Sequence, residues 1–324
     1  MYQSYFGFRE KPFNITPNPR FLYLSKQHKE AFAHLLYGIK NHAGFIELTG
    51  EVGTGKTTVL RTLLGQLDES SFIFALILNP CLSALELLRN INREFGIPHE
   101  GLENGALLEE LNRFLLAENR VGKTVVLVID EAQNLAPQVL EQIRLISNLE
   151  TESDKLIQIV LAGQPELIDM LAKPELRQLA QRITVRYHLL PMDFEDSSAY
   201  IRHRILVAGG GGWINFTGEA MKKIYNFSKG SPRLLNIACD RTLLTAYSED
   251  SKDISGKIAA SAITELRGGR KTPVVNLKLA LAVIMAALFL ALVAFGALQL
   301  RENEKVNEVP GKAAETSSQG GLPA

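Results

Sequence analysis

Residues 44–58 read GFIELTGEVGTGKTT: an apolar run, a glycine-rich turn, then Lys-Thr-Thr. The run is short and rich in residues that favour strands, and the segment from 56 onward carries apolar residues at helical spacing. Between them, Gly50, Gly55, Lys56 and Thr57 match G-x-x-x-x-G-K-[ST]. A strand, this loop and a helix in that order make a phosphate cradle. Gly50, Gly53 and Gly55 let the backbone turn so that successive N–H groups face phosphate oxygens. The helix start adds the positive end of its dipole. Glu51, Val52, Thr54 and Thr58 complete the loop, Lys56 places a cation on the β- and γ-phosphates, and the Thr57 hydroxyl is a ligand for Mg²⁺. ATP with Mg²⁺ is the expected ligand pair.

A second element, TVVLVIDEAQ at 124–133, ends an apolar strand in two carboxylates. In open α/β sheets ligands sit at that strand edge. Asp130 is expected to hold Mg²⁺, largely through water, and Glu131 to orient and polarise the attacking water. A third, LIQIVLAGQPEL at 156–167, brings Gln164 off a strand end. It positions the water, or else it only shapes the turn before Pro165.

Further β-type runs occupy 71–79 and 183–190. Helical patterns are expected at 25–41 (with Ser25 as N-cap), 56–67, 82–95, 105–119, 135–149 and 165–181. Strands that are nearly continuous in hydrophobics and alternate with helices predict a doubly wound parallel α/β sheet over 24–191. Beyond Pro191 the pattern turns helical, with a GGGG break at 209–212, so 192–266 is expected to be a small all-helical domain. Residues 1–23 hold Pro12, Pro17 and Pro19, which argue against a helix and for an extended arm over a domain.

Composition matters most where it is uneven. Leu279 to Leu300 has no charge over 22 residues. As a helix it is about 33 Å long, enough to cross a hydrocarbon core. The expectation is one transmembrane helix, with a basic linker at 267–278 and a short disordered tail at 301–324. The N-terminus has no apolar core of a cleaved leader. Arg267, Arg270, Lys271 and Lys278 precede the run, and Arg301, Lys305 and Lys312 follow it. That charge bias is weak. The ATP site before the run gives the firmer orientation: ATP is cytoplasmic, so the 1–266 side faces the cytoplasm. Net charge is zero, which excludes nucleic-acid binding by bulk positive charge, and Cys81 and Cys239 are too few for a disulfide framework. The six histidines show no metal-ligand spacing.

With these residues in hand, the chain resembles AAA+ ATPases, and more narrowly the family of general secretory pathway protein A (ExeA-type). The resemblance runs through FGFREKPFNITPNPRFLYLS, GEVGTGKTT, VLVIDEAQNL, LAGQPEL, LRQLAQRI and KGSPRLLN, over about residues 1–265. It implies an AAA+ P-loop domain with 192–266 as its lid. It makes Arg233 the sensor-2 arginine on the γ-phosphate. It makes Arg182, with Arg177 in reserve, an arginine finger acting on a neighbouring copy in a homo-oligomer. Gln164 stands where many AAA+ proteins carry Asn. Relatives with a secretion role often carry a peptidoglycan-binding domain after the span, whereas 24 residues follow it here. That argues against direct cell-wall binding. The implied function is ATP hydrolysis at a bacterial inner membrane, serving a secretion, pilus or exopolysaccharide-export system through an inner-membrane or periplasmic partner.

Two other functions stay in view. A DNA-associated AAA+ regulator of the transposition or replication-loader type would need a basic patch, such as Arg202, His203, Arg204, Lys222 and Lys223; nucleic acid is the less expected partner. A nucleotide-gated scaffold would need binding without productive turnover. Within the apolar run, the pairs Ala282/Ala286 and Ala287/Ala291 are spaced to let spans pack closely, although alanine is simply common there.

Overall fold

A computed structural model describes residues 2–268, apart from residues 17, 79–80, 153 and 211–213. The run 279–300, the tail and all but the first two residues of the linker lie outside the described residues. Among the described residues no helix is long and apolar enough to cross a membrane.

Five parallel strands form where the apolar runs stand: β1 Phe45–Gly50, β2 Phe72–Ile77, β3 Thr124–Ile129, β4 Ile157–Gly163 and β5 Ile183–Leu189. Their spatial order is β2-β3-β4-β1-β5. The sheet therefore lays the ends of β3, β4 and β1 side by side, with Ile129 opposite Leu161 and Thr49 opposite Gly163.

Alternation along the strands feeds two cores. Val126, Val128, Ile46, Leu48, Val160 and Ala162 face α2 (Lys26–Lys40) and α3 (Lys56–Leu64). Val125, Leu127, Ile129, Ile157, Ile159 and Leu161 face α4 (Ala84–Glu94), α5 (Asn104–Arg120) and α6 (Pro137–Ile146). The edge strands keep solvated positions: β5 alternates buried and exposed residues, unlike the fully buried β1 and β4. Local chemistry starts several of the helices. Ser25 and Ser83 close capping boxes, and Pro137 opens α6.

Three expectations change. The helix expected over 165–181 is broken into α7 (Glu166–Leu171), a 3-10 turn at Pro174–Leu176 and α8 (Arg177–Arg182). Pro174 has no N–H to continue α7 and starts the new turn instead. The region 192–266 is not all-helical. Its helices α9 (Phe194–Val207), α10 (Gly218–Ser228), α11 (Pro232–Ser248) and α12 (Gly256–Leu266) are joined by a two-stranded parallel sheet of Asn215–Phe216 and Asp253–Ile254.

The arm also differs. A short helix at Tyr2–Tyr5, numbered α1, precedes the prolines, and Pro19 opens a 3-10 turn at Pro19–Phe21 because it sits at the first position, where no N–H is needed. Phe6, Phe8, Phe13 and Phe21 are buried with Ile201, Leu235, Leu243 and Ile258, so the arm completes the core of the helical region. The Tyr2 hydroxyl donates to Asp240. Arg204 runs beneath the arm, donating from Nε to Pro12 O at 2.5 Å, with its guanidinium 4.8 Å from the Phe21 ring centroid.

Candidate active site

The loop follows β1. Thr54 Oγ1 donates to Glu51 O at 2.8 Å, and Lys56 Nζ donates to Gly50 O at 2.7 Å and Glu51 O at 3.1 Å. The ammonium thus lies in the loop's concavity. Burial pushes its pKa below the usual lysine range, against the opposing carboxylates of Glu131, Asp130, Glu51 and Glu166. Val52 and Glu51 are exposed at the tip, and Thr58 lies in the first turn of α3. Two glycines are set by tertiary neighbours as well as by the turn. At Gly53 (φ +78°) a Cβ would meet Arg233 Cβ at 2.8 Å and Ser231 Oγ at 2.9 Å. At Gly55 (φ +102°) it would meet His28 Nε2 at 2.6 Å.

The neighbouring strand ends bring the other expected residues here. Thr57 Oγ1 donates to Asp130 Oδ2 at 2.5 Å. These two hard oxygens fit Mg²⁺, which takes one or two protein ligands and completes its shell with phosphate and water. Among the described residues no group of three or more His, Cys, Asp or Glu could hold a metal alone.

Glu131 follows with a left-handed backbone (φ 55°). Its Oε2 accepts from Gln133 Nε2 at 2.6 Å and from Gln164 Nε2 at 3.1 Å. Burial raises the Glu131 carboxyl, but the two amide hydrogen bonds and the Lys56 charge together outweigh it and hold the pKa below the usual range. The group is ionised at neutral pH and can accept a water proton.

Gln133 and His28 were not singled out from sequence. Gln133 also accepts the Gln164 backbone N–H on Oε1 at 3.0 Å, so it bridges β3 and β4. The signal for it was its place in the EAQ motif, two residues after Glu131; pairing with β4 needs the strand order. His28 Nε2 lies 2.8 Å from Thr54 O, and nothing local connects the two.

The arginines divide. Arg233, in the first turn of α11, is brought to the loop: its N–H reaches Gly53 O at 3.5 Å, and Ser231 Oγ donates to the same carbonyl at 3.3 Å. Arg182 is not at this site. It precedes Ile183, which pairs with Phe45 at the opposite strand edge, and its Nη1 donates to Ser147 Oγ at 2.9 Å. Arg177 is exposed at the start of α8. The basic patch imagined for DNA does not form as drawn. Arg204 is buried under the arm, and Lys223 pairs with Glu219 at 3.5 Å.

Residues 39–171 match the family model described as an AAA domain. General secretion pathway protein A from Aeromonas hydrophila is 52% identical over 264 residues, which is 81% of this chain. The chain belongs to the ExeA-type AAA ATPases. It spans about half (48%) of the length of that relative. Solved structures agree on the fold. The ORC2 protein of Aeropyrum pernix superposes with a TM-score of 0.60 at 18% identity, covering 80% of this chain and 72% of that one. Cdc6p of Pyrobaculum aerophilum gives 0.59 at 20% identity, covering 78% and 69%. In this ExeA-type chain the AAA domain carries a P-loop, and the sheet brings that loop and the Asp130–Glu131 carboxylates to one edge.

Proposed function

We propose that the protein is a membrane-anchored ATPase. It hydrolyses ATP on the cytoplasmic side of a bacterial inner membrane and uses oligomer changes to drive assembly or operation of a secretion, pilus or exopolysaccharide-export system. One observation carries the chemistry: the Thr57–Asp130 contact and the Glu131–Gln164 contact lie on adjacent strand ends beside the same phosphate loop. The pathway reading is supported by the name of the Aeromonas relative. Anchoring is supported by the uncharged run at 279–300.

In the proposed reaction, Lys56 exchanges the Gly50 and Glu51 carbonyls for β- and γ-phosphate oxygens. Thr57 and Asp130 would hold Mg²⁺, which would neutralise phosphate charge. Glu131 accepts a hydrogen bond from the attacking water, and Gln164 orients both. The water oxygen bonds to the γ-phosphorus as the bridging P–O bond breaks, ADP departs with that electron pair, and the water proton passes to the carboxylate. Arg233 reaches the γ-phosphate from α11. Arg182, held away from its own loop, serves the site of a neighbouring copy in a homo-oligomer.

Steady-state ATPase assays and binding of a fluorescent ATP analogue, on the full chain in detergent, test the site. Lys56→Ala is expected to abolish binding. Glu131→Gln is expected to keep binding and to lose hydrolysis by about 10²-fold or more. Wild type turning over no faster than Glu131→Gln overturns the hydrolytic reading in favour of a nucleotide-gated scaffold. Membrane fractionation with and without residues 279–300 tests anchoring; equal distribution overturns it. DNA-stimulated turnover that falls steeply with salt would favour the DNA-associated alternative.

A further inference from the structure

His28 sits in the first turn of α2 and is 3% exposed. Its Nδ1 lies 2.6 Å from Ser25 Oγ and 3.3 Å from Ser25 N, while its Nε2 lies 2.8 Å from Thr54 O. A carbonyl oxygen can only accept, so Nε2 carries the hydrogen. Nδ1 is then the lone-pair nitrogen and accepts from Ser25. The chain thereby sets both the tautomer and the ring plane. The start of α2 is held in turn from α9: Asp196 accepts from Lys26 N at 3.2 Å and from the Tyr23 hydroxyl at 3.3 Å.

The Thr54–Gly55 peptide is part of the phosphate loop. A trans peptide points its C=O and its N–H in opposite directions. With Thr54 O turned to His28, the Gly55 N–H points the opposite way, away from the ring. Among the described residues that N–H donates to no acceptor. The ring approaches so closely that Gly55 has no room for a Cβ.

We propose that His28 is a positioning residue of the nucleotide site: by donating to Thr54 O it holds the Gly55 N–H toward the bound phosphate. The inference rests on the nucleotide-site reading above. His28 touches no substrate atom and acts through one peptide plane. A glutamine can place its Nε2 donor near the same point, whereas a leucine fills the space with no donor.

The test compares His28→Leu, His28→Gln and Lys56→Ala in the full chain, by ATP-analogue affinity, by KM and kcat, and by thermal melting. His28→Leu is expected to raise KM about tenfold, equivalent to about 1.4 kcal/mol, with kcat falling by less. His28→Gln is expected to recover most of that affinity. A role in packing alone predicts lower melting temperatures with KM unmoved, or equal losses in both variants, and either result overturns the proposal. If Lys56→Ala also binds normally, the nucleotide-site reading has failed; if only Lys56→Ala loses binding, the His28 inference alone has failed. Should His28→Leu not fold, imidazole ¹⁵N NMR of the wild type decides, with the His28 signal assigned by its absence in His28→Gln. Hydrogen on Nε2 supports the proposal, and hydrogen on Nδ1 overturns it.

Discussion

Single side chains at this site act through their neighbours. Glu131 could be recognised in sequence because it ends an apolar strand, but what orients it could not. Gln133 holds one carboxylate oxygen and also the Gln164 N–H, and Gly163 allows the approach: a Cβ there would meet Gln133 Oε1 at 2.9 Å. Removing the amide leaves Glu131 with one hydrogen-bond partner fewer and loosens the end of β4. Gln133→Ala is therefore expected to lower kcat, by up to about 10²-fold if the carboxylate moves by an ångström, with nucleotide affinity near wild type. Steady-state kinetics check this; a rise in KM at unchanged kcat would show that Gln133 only shapes the loop. Arg204 is the converse case. Its charge suggested a solvated or DNA-facing residue, yet its hydrogen bonds go to Pro12 O, Asn14 O and the Tyr200 hydroxyl. The Tyr200 hydroxyl lies one turn away on the same helix, but only the folded arm brings the Pro12 and Asn14 carbonyls into place.

Among the elements, strands and helix starts were legible because their causes are local. Apolar runs gave all five strands to within two residues at each end, and Ser25 caps the helix it was expected to cap. Expectations failed where a partner element overrules composition. The arm reads as an extended polar-aromatic segment, but its aromatic rings are buried in the core of the helical region. Phe13 is 2% exposed there. Phe13→Ala should cost about 3–5 kcal/mol. The expected result is earlier proteolytic cleavage and faster hydrogen exchange in 192–266 than in the sheet. Uniform loosening of both would show that the arm supports the whole fold equally.

At the scale of the whole molecule, the strand order sets which residues can work together within one copy. Placing β4 between β3 and β1 brings Asp130, Glu131 and Gln164 to the loop and leaves Arg182 at the opposite strand edge. The proposed finger role for Arg182 therefore has to be exerted on another copy. Mixing Lys56→Ala with Arg182→Ala, each inactive alone, should restore part of the ATPase activity, because one copy supplies an intact site and the other an intact arginine. Failure to restore it, with both variants co-assembled in crosslinking, removes Arg182 from that role.

The sequence by itself determined the phosphate loop, the carboxylate pair, the parallel α/β class and the uncharged run near its end, since each follows from residue spacing or hydrophobic period. The tertiary structure alone decided that β4 lies between β1 and β3, that Gln133 clasps Glu131, that His28 backs the loop and that the arm seals the helical region. Those contacts join residues far apart in the chain. Their partners are chosen by which faces must be buried together, and no local pattern records that choice.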